Sequence, residues 1–133
     1  MEKIKEILIN ESEDIILARQ YAREMAIKLG FGLADQARVT AAVSELSRNV
    51  YLYARTGRVL IRALSEGNKE GIEIITEDKG PGIPDIELAM QDGYSTSQGL
   101  GHGLPGVKRL MDEFEIKSEV LKGTIVTVRK WLS

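Results

Sequence analysis

Hydrophobic positions along the chain change their period several times, and each change marks an element. Lys3 to Ile9 alternates weakly among Ile and Leu residues, which predicts a first strand. Ile15, Ala18, Ala22, Met25, Ala26 and Leu29 then recur on one helical stripe, with Ser12 placed as N-cap, Glu13 and Asp14 in the first turn and Gly30 at the C-terminal cap. A second helix is predicted over Ala34 to Tyr53, with Ala37, Ala41, Leu46, Val50 and Tyr53 toward the core and Ala42, Glu45 and Asn49 on an adjacent stripe. Arg58 to Leu64 and Gly71 to Glu77 read as strands joined by a polar turn at Glu66 to Lys69, an antiparallel hairpin.

Beyond that hairpin the pattern breaks down. Asp85 to Asp92 predicts a short helix after Pro84, and Gly93 to Gly101 a polar lid. Pro105 suits a helical first turn, and the helix it opens would carry Val107, Leu110 and Met111 inward and end near Phe114. Glu115 to Val120 and Thr124 to Trp131 predict a closing hairpin around a turn at Leu121 to Gly123. Paired strands alternating with helices predict an α+β two-layer sandwich: a mixed, mostly antiparallel sheet with helices packed on one face. The chain shows neither repeats nor a linker, so a single domain over residues 1–133 is expected.

Composition narrows the chemistry. Net charge is −2, which argues against a nucleic-acid partner. Cysteine is absent and histidine occurs once, which excludes thiolate sites and disfavours a His-rich zinc site. Met1 to Asn10 mixes charges with single aliphatics, so no secretory leader is expected, and no stretch approaches membrane-spanning length; a cytoplasmic protein without membrane contact is the expectation.

Glycine is unevenly spread. Gly80, Gly82, Gly93, Gly99, Gly101, Gly103, Gly106 and all three prolines lie between Glu77 and Gly106. Gly99 to Leu104 leads into the Pro105 helix, so its backbone N–H groups can cradle phosphate at a helix N-terminus. A dinucleotide-binding unit is a poor fit, because the ladder follows the polar segment Asp92 to Gln98 and not a strand. A Walker loop lacks its Gly-Lys-Ser/Thr. Asp78 ends a strand-like run and can accept a hydrogen bond from an exocyclic amine such as that of adenine, with Gly80 and Gly82 keeping the wall thin. Asn49 offers one neutral oxygen to a magnesium ion that keeps several waters. Glu45, one turn earlier, can accept a proton from an attacking hydroxyl or orient it.

Glu45-Leu-Ser-Arg-Asn49, Asp78-Lys-Gly-Pro-Gly82, Gly99-Leu-Gly-His-Gly-Leu104 and Gly123-Thr124 resemble, in order and spacing, the four motifs of the GHKL ATPase and kinase superfamily with its Bergerat fold. Within it, Ser44 to Ala54, Glu77 to Asp85 and Gly103 to Phe114 closely resemble the switch serine/threonine kinases of bacterial stressosomes. The resemblance implies an ATP- and Mg2+-dependent protein kinase that phosphorylates STAS-domain scaffold or antagonist proteins and, once released, activates a PP2C-type phosphatase. It implies Glu45 as catalytic base or orienting residue, Asn49 as magnesium ligand, and Asp78 as the adenine-recognising acid with Gly80, Gly82 and Thr124 near the base. Gly99, Leu100, Gly101, His102, Gly103 and Leu104 would form the phosphate cradle, the His102 side chain being tolerated there and not catalytic. Ser95, Thr96 and Ser97 either approach the terminal phosphate or only keep the loop soluble, and Arg48 either touches phosphate or substrate or forms a surface ion pair. The alternative is an anti-sigma factor of the same fold. A histidine kinase fragment fits poorly, since the only histidine lies in the glycine ladder.

Overall fold

In the computed structural model, which describes residues 4–83, 86–90 and 103–132, strand alternation puts one sheet face under the helices. The elements run β1 (Ile4–Ile9), α1 (Glu13–Leu29), α2 (Leu33–Ala54), β2 (Gly57–Glu66), β3 (Lys69–Asp78), α3 (Ile86–Ala89), α4 (Gly103–Leu110), β4 (Glu113–Glu119) and β5 (Gly123–Trp131). The sheet order is β1-β2-β3-β5-β4, and all four pairings are antiparallel. The chain therefore leaves β3, passes through α3 and α4 to the edge strand β4, and returns by a tight turn to insert β5 beside β3. That crossover brings Asp78 opposite Thr124.

Ile7, Ile9, Val59, Ile61, Ile72, Ile74, Val126 and Val128 are buried on one face of the sheet. Against them pack Ala18, Ala22 and Ala26 of α1, the core stripe of α2, and Val107 of α4. The alanines on α1 let two helices lie close together over the same sheet. Each fully buried aliphatic contributes about 1.5–3 kcal/mol relative to exposure.

Three local expectations are corrected. Ser12 precedes α1 but makes no capping bond; its hydroxyl donates to Glu13 Oε1 at 2.7 Å. The Asp14 carboxylate instead braces the turn that enters the helix, accepting from the Asn10 and Glu11 N–H groups at 2.9 and 3.0 Å. Those two bonds hold its carboxyl below its ordinary value. On α2 the buried stripe is Val39, Ala42, Val43, Leu46, Ser47 and Val50, whereas Ala37, Ala41 and Tyr53 are exposed. The β-branched residues mark the core side, and the alanines were ambiguous because they are apolar yet lose little in water. Likewise α4 stops at Leu110, short of Phe114, because the Asp112 N–H already donates to Arg129 O and starts the β4–β5 ladder. Gly30 closes α1 in the left-handed region at φ 96°, as expected. The predicted short helix keeps Ile86–Ala89, with a turn at Met90; its Asp85, Gln91 and Asp92, and the lid at Gly93 to Gly101, lie outside the described residues.

Among the described residues the other sheet face carries no helix, and a row of charges crosses it. Arg62, Glu73, Arg129 and Glu113 stand in register on β2, β3, β5 and β4. Glu73 is 1% exposed and accepts from Arg62 Nε at 2.5 Å and Arg129 Nε at 2.7 Å. Burial alone pushes its carboxyl up, but the hydrogen bonds and charges of Arg62 and Arg129 outweigh this and hold it below its ordinary value. Replacing Glu73 by Gln should cost about 2–3 kcal/mol at pH 7, because two guanidinium groups lose their carboxylate. The folded pKa is lowered, so this advantage is complete above the unfolded value, near 4.5, and is lost as pH falls through the folded one. Denaturant melts of both proteins across pH 3–7 should therefore converge at the acid end. A gap that stays constant with pH would show that the carboxylate charge contributes nothing.

Candidate active site

β3 ends at Asp78, whose backbone is held between Gly57 on β2 and Thr124 on β5. The Asp78 side chain turns back on the next loop and accepts from the Gly80 N–H at 2.9 Å. Burial raises its pKa first of all, the hydrogen bonds from the Gly80 and Thr124 backbone N–H groups oppose that, and the Glu77 charge adds a smaller upward push. A carboxylate so placed is desolvated on one side, is oriented by two fixed donors, and keeps spare lone pairs for a ligand N–H.

The glycines around it mark close approaches. A Cβ on Gly80 would lie 2.7 Å from Ala54 Cβ, so the loop presses on the end of α2. Gly82 has φ +79°, and a Cβ there would run into the Glu119 carbonyl on β4. Gly123, at φ +120°, would collide with the Asp78 carbonyl. Further bonds tie this loop to the β4–β5 turn: Leu121 N–H donates to Pro81 O at 2.7 Å, and Ile83 N–H to Ser118 Oγ at 2.8 Å. Ser118 Oγ also lies 2.8 Å from Thr124 Oγ1 and 3.1 Å from the Gly123 carbonyl. Ser118 was missed by the sequence reading. It sits on an alternating strand and acquires its role only because Ser118 and Thr124 are register partners.

α2 supplies the polar residues. Glu45 and Asn49 lie one turn apart and both are half-buried. Arg48 Nη1 lies 3.2 Å from Glu45 Oε1, an ion pair between successive turns of the helix. Farther along the same helix, Val50 and Ala54 meet Gly57 and Gly80, so the helix bearing Glu45 and Asn49 abuts the loop that follows Asp78. α4 packs on α2 and begins at Gly103, φ +43°, with Leu104 buried behind it. The remaining predicted cradle and lid residues, Thr96, Ser97, Gly99, Leu100, Gly101 and His102, lie outside the described residues. Among the described residues no group of three or more His, Cys, Asp or Glu side chains could hold a metal ion. No helix among the described residues is long and apolar enough to cross a membrane.

Comparison with known proteins agrees with this layout. A family model for histidine kinase-, DNA gyrase B- and HSP90-like ATPases matches residues 34–133. The chain is 57% identical over 119 residues to the serine/threonine-protein kinase RsbT of Bacillus subtilis, covering 90% of each. It is 33% identical over 130 residues to an anti-sigma F factor of Thermoanaerobacter sp., covering 93% of this chain and 90% of that protein. Among solved structures, the RsbU and RsbW domains of Rv1364c from Mycobacterium tuberculosis superpose with TM-score 0.68 at 17% identity, covering all of this chain and 33% of that one. The mycobacterial sensor histidine kinase MprB gives TM-score 0.59 at 20% identity, covering 98% of this chain and 97% of that one. These two likenesses speak for the fold, a Bergerat arrangement of helices on a five-stranded antiparallel sheet. With a family model spanning α2 to β5 and the fold to match, the chain belongs to the histidine kinase-, DNA gyrase B- and HSP90-like ATPase family and binds ATP.

Proposed function

We propose that this chain works as an ATP-dependent protein serine/threonine kinase of a partner-switching module, like RsbT, with its site distributed over α2 and the β3–β5 end of the sheet. One observation supports the site assignment above the others. Glu45 is oriented by Arg48 and stands one turn from Asn49, on the helix that abuts the Asp78 loop. Asp78 takes the adenine amine, with Gly80, Gly82 and Thr124 forming the wall. Gly103 and Leu104, with the glycines before them, hold the phosphates at the start of α4. Asn49 supplies an oxygen to magnesium, which when bound screens phosphate charge. Glu45 accepts the proton of the serine or threonine hydroxyl, or aligns that hydroxyl, and Arg48 keeps its carboxylate in position.

The acceptors we infer are STAS-domain proteins, and the partner activated on release is a PP2C-type phosphatase. The whole chain acts as one domain in the cytoplasm. The likeness to anti-sigma F factors favours a second, weaker reading, sequestration of a sigma subunit; the 57% match to a kinase against 33% to anti-sigma factors ranks it below the first. Labelled ATP with a cognate STAS-domain protein tests the kinase reading. Labelled acceptor is the expected product, and tight nucleotide binding without transfer contradicts it.

The roles separate by variant. Glu45→Ala should slow transfer about 10²–10⁴-fold while changing nucleotide affinity little. Asn49→Ala should abolish the magnesium dependence of transfer and leave the melting temperature close to wild type. Rapid-quench kinetics with calorimetric nucleotide titration distinguish these, and a Glu45→Ala protein that loses binding but keeps turnover per bound ATP reverses the assignment. Asp78→Asn should weaken ATP binding about 10- to 100-fold, because an amide presents a donor where the carboxylate now accepts from Gly80 N–H and Thr124 N–H. Unchanged affinity in that variant would move the base elsewhere.

A further inference from the structure

A groove opens beside Glu45, on the side of α2 that faces α1. It is bounded by α1, the first half of α2 and α4, has a volume of about 810 Å³, and meets the proposed site at Glu45 and Arg48. Ala37 and Ala41 line it, which explains why these apolar residues face away from the core: their short side chains give the groove its depth. Its charge is one-sided. Arg19 and Arg23 of α1 line it together with Arg48, while Glu45 is the sole carboxylate among the described lining residues and is already paired. Among the described residues, Arg19 and Arg23 have no salt-bridge partner. An exposed guanidinium pair beside an apolar floor attracts carboxylates more strongly than one surrounded by water.

We propose that this groove seats the acceptor protein's phosphorylated segment, and that Arg19 and Arg23 read acidic side chains next to the acceptor serine or threonine. The inference rests on the kinase reading of Glu45. Arg19 and Arg23 are four apart on a helix, so their attachment points are about 6 Å apart along the axis. Residues i and i+2 of an extended segment are about 6.6 Å apart and point the same way. An extended acceptor segment with carboxylates at alternate positions therefore matches the arginine pair, while its hydroxyl reaches Glu45 at the groove end.

Transfer to the STAS-domain acceptor should be measured for wild type, Arg19→Glu, Arg23→Glu, the double variant and the milder double Gln variant. The double Glu variant should raise the acceptor KM at least about tenfold at low salt, leave ATP affinity and kcat within about twofold, and be rescued by Lys at the acidic positions of the acceptor. The double Gln variant should show a smaller rise in KM in the same direction. An acceptor KM within twofold of wild type in both double variants overturns the proposal. So does a parallel loss of ATP affinity, which would assign the arginines to the nucleotide, or a change confined to oligomeric state, which would assign the groove to a second copy of this chain. If wild type transfers phosphate to no STAS protein, the kinase reading fails by itself. Pull-down of the same acceptor then tests the groove separately: loss of capture by the double Glu variant supports it, and equal capture overturns it.

Discussion

The β3–β5 pairing is the constraint on which the rest depends. It places Asp78 against Thr124 across a long connection, and three glycines remove the Cβ atoms that would keep the neighbouring backbones apart. Given that pairing, Asp78 has two backbone donors, Gly82 can lie on the Glu119 carbonyl, and Ser118 can reach both Ile83 and Thr124. Without it the carboxylate would be a solvated loop residue. The site is a consequence of sheet topology, and the aliphatic face beneath the helices is what holds that topology.

α2 links the two halves of the chemistry. Its Val39, Val43, Leu46 and Val50 face anchors it on the core, and that anchoring fixes where its other sides point. One side carries Glu45 and Asn49, and the alanine side opens the arginine-lined groove. A rotation of the helix by one residue would carry the Glu45–Arg48 pair toward the apolar core, where desolvating the charges is costly. Burial on one side thus secures the geometry of the reactive groups on the others.

Much of this was legible in the chain. Strand alternation, the cap at Gly30 and the glycine concentration around Asp78 report local physics, so the element order and the close backbone approaches at Gly80 and Gly82 could be read directly. Readings that depended on which of two apolar stripes wins were less secure. Ala37 and Ala41 looked like core because alanine is apolar, yet the valines displaced them. Ser12 looked like a cap, but its hydroxyl turns to the Glu13 carboxylate. The role of Ser118, the Arg62–Glu73–Arg129 row and the meeting of Arg19 with Arg48 arise only when distant segments pair or pack, and no local pattern announces such contacts.

The central claim is that recognition of the nucleotide and transfer of its phosphate belong to different elements held in one frame. Backbone amide NMR on adding magnesium and a non-hydrolysable ATP analogue tests it most directly. The account predicts large shifts at Gly80, Gly103 and Thr124, with Asn49 responding only when magnesium is present. Shifts gathered instead on the open sheet face around Glu73, with Gly80 and Thr124 unmoved, would contradict it.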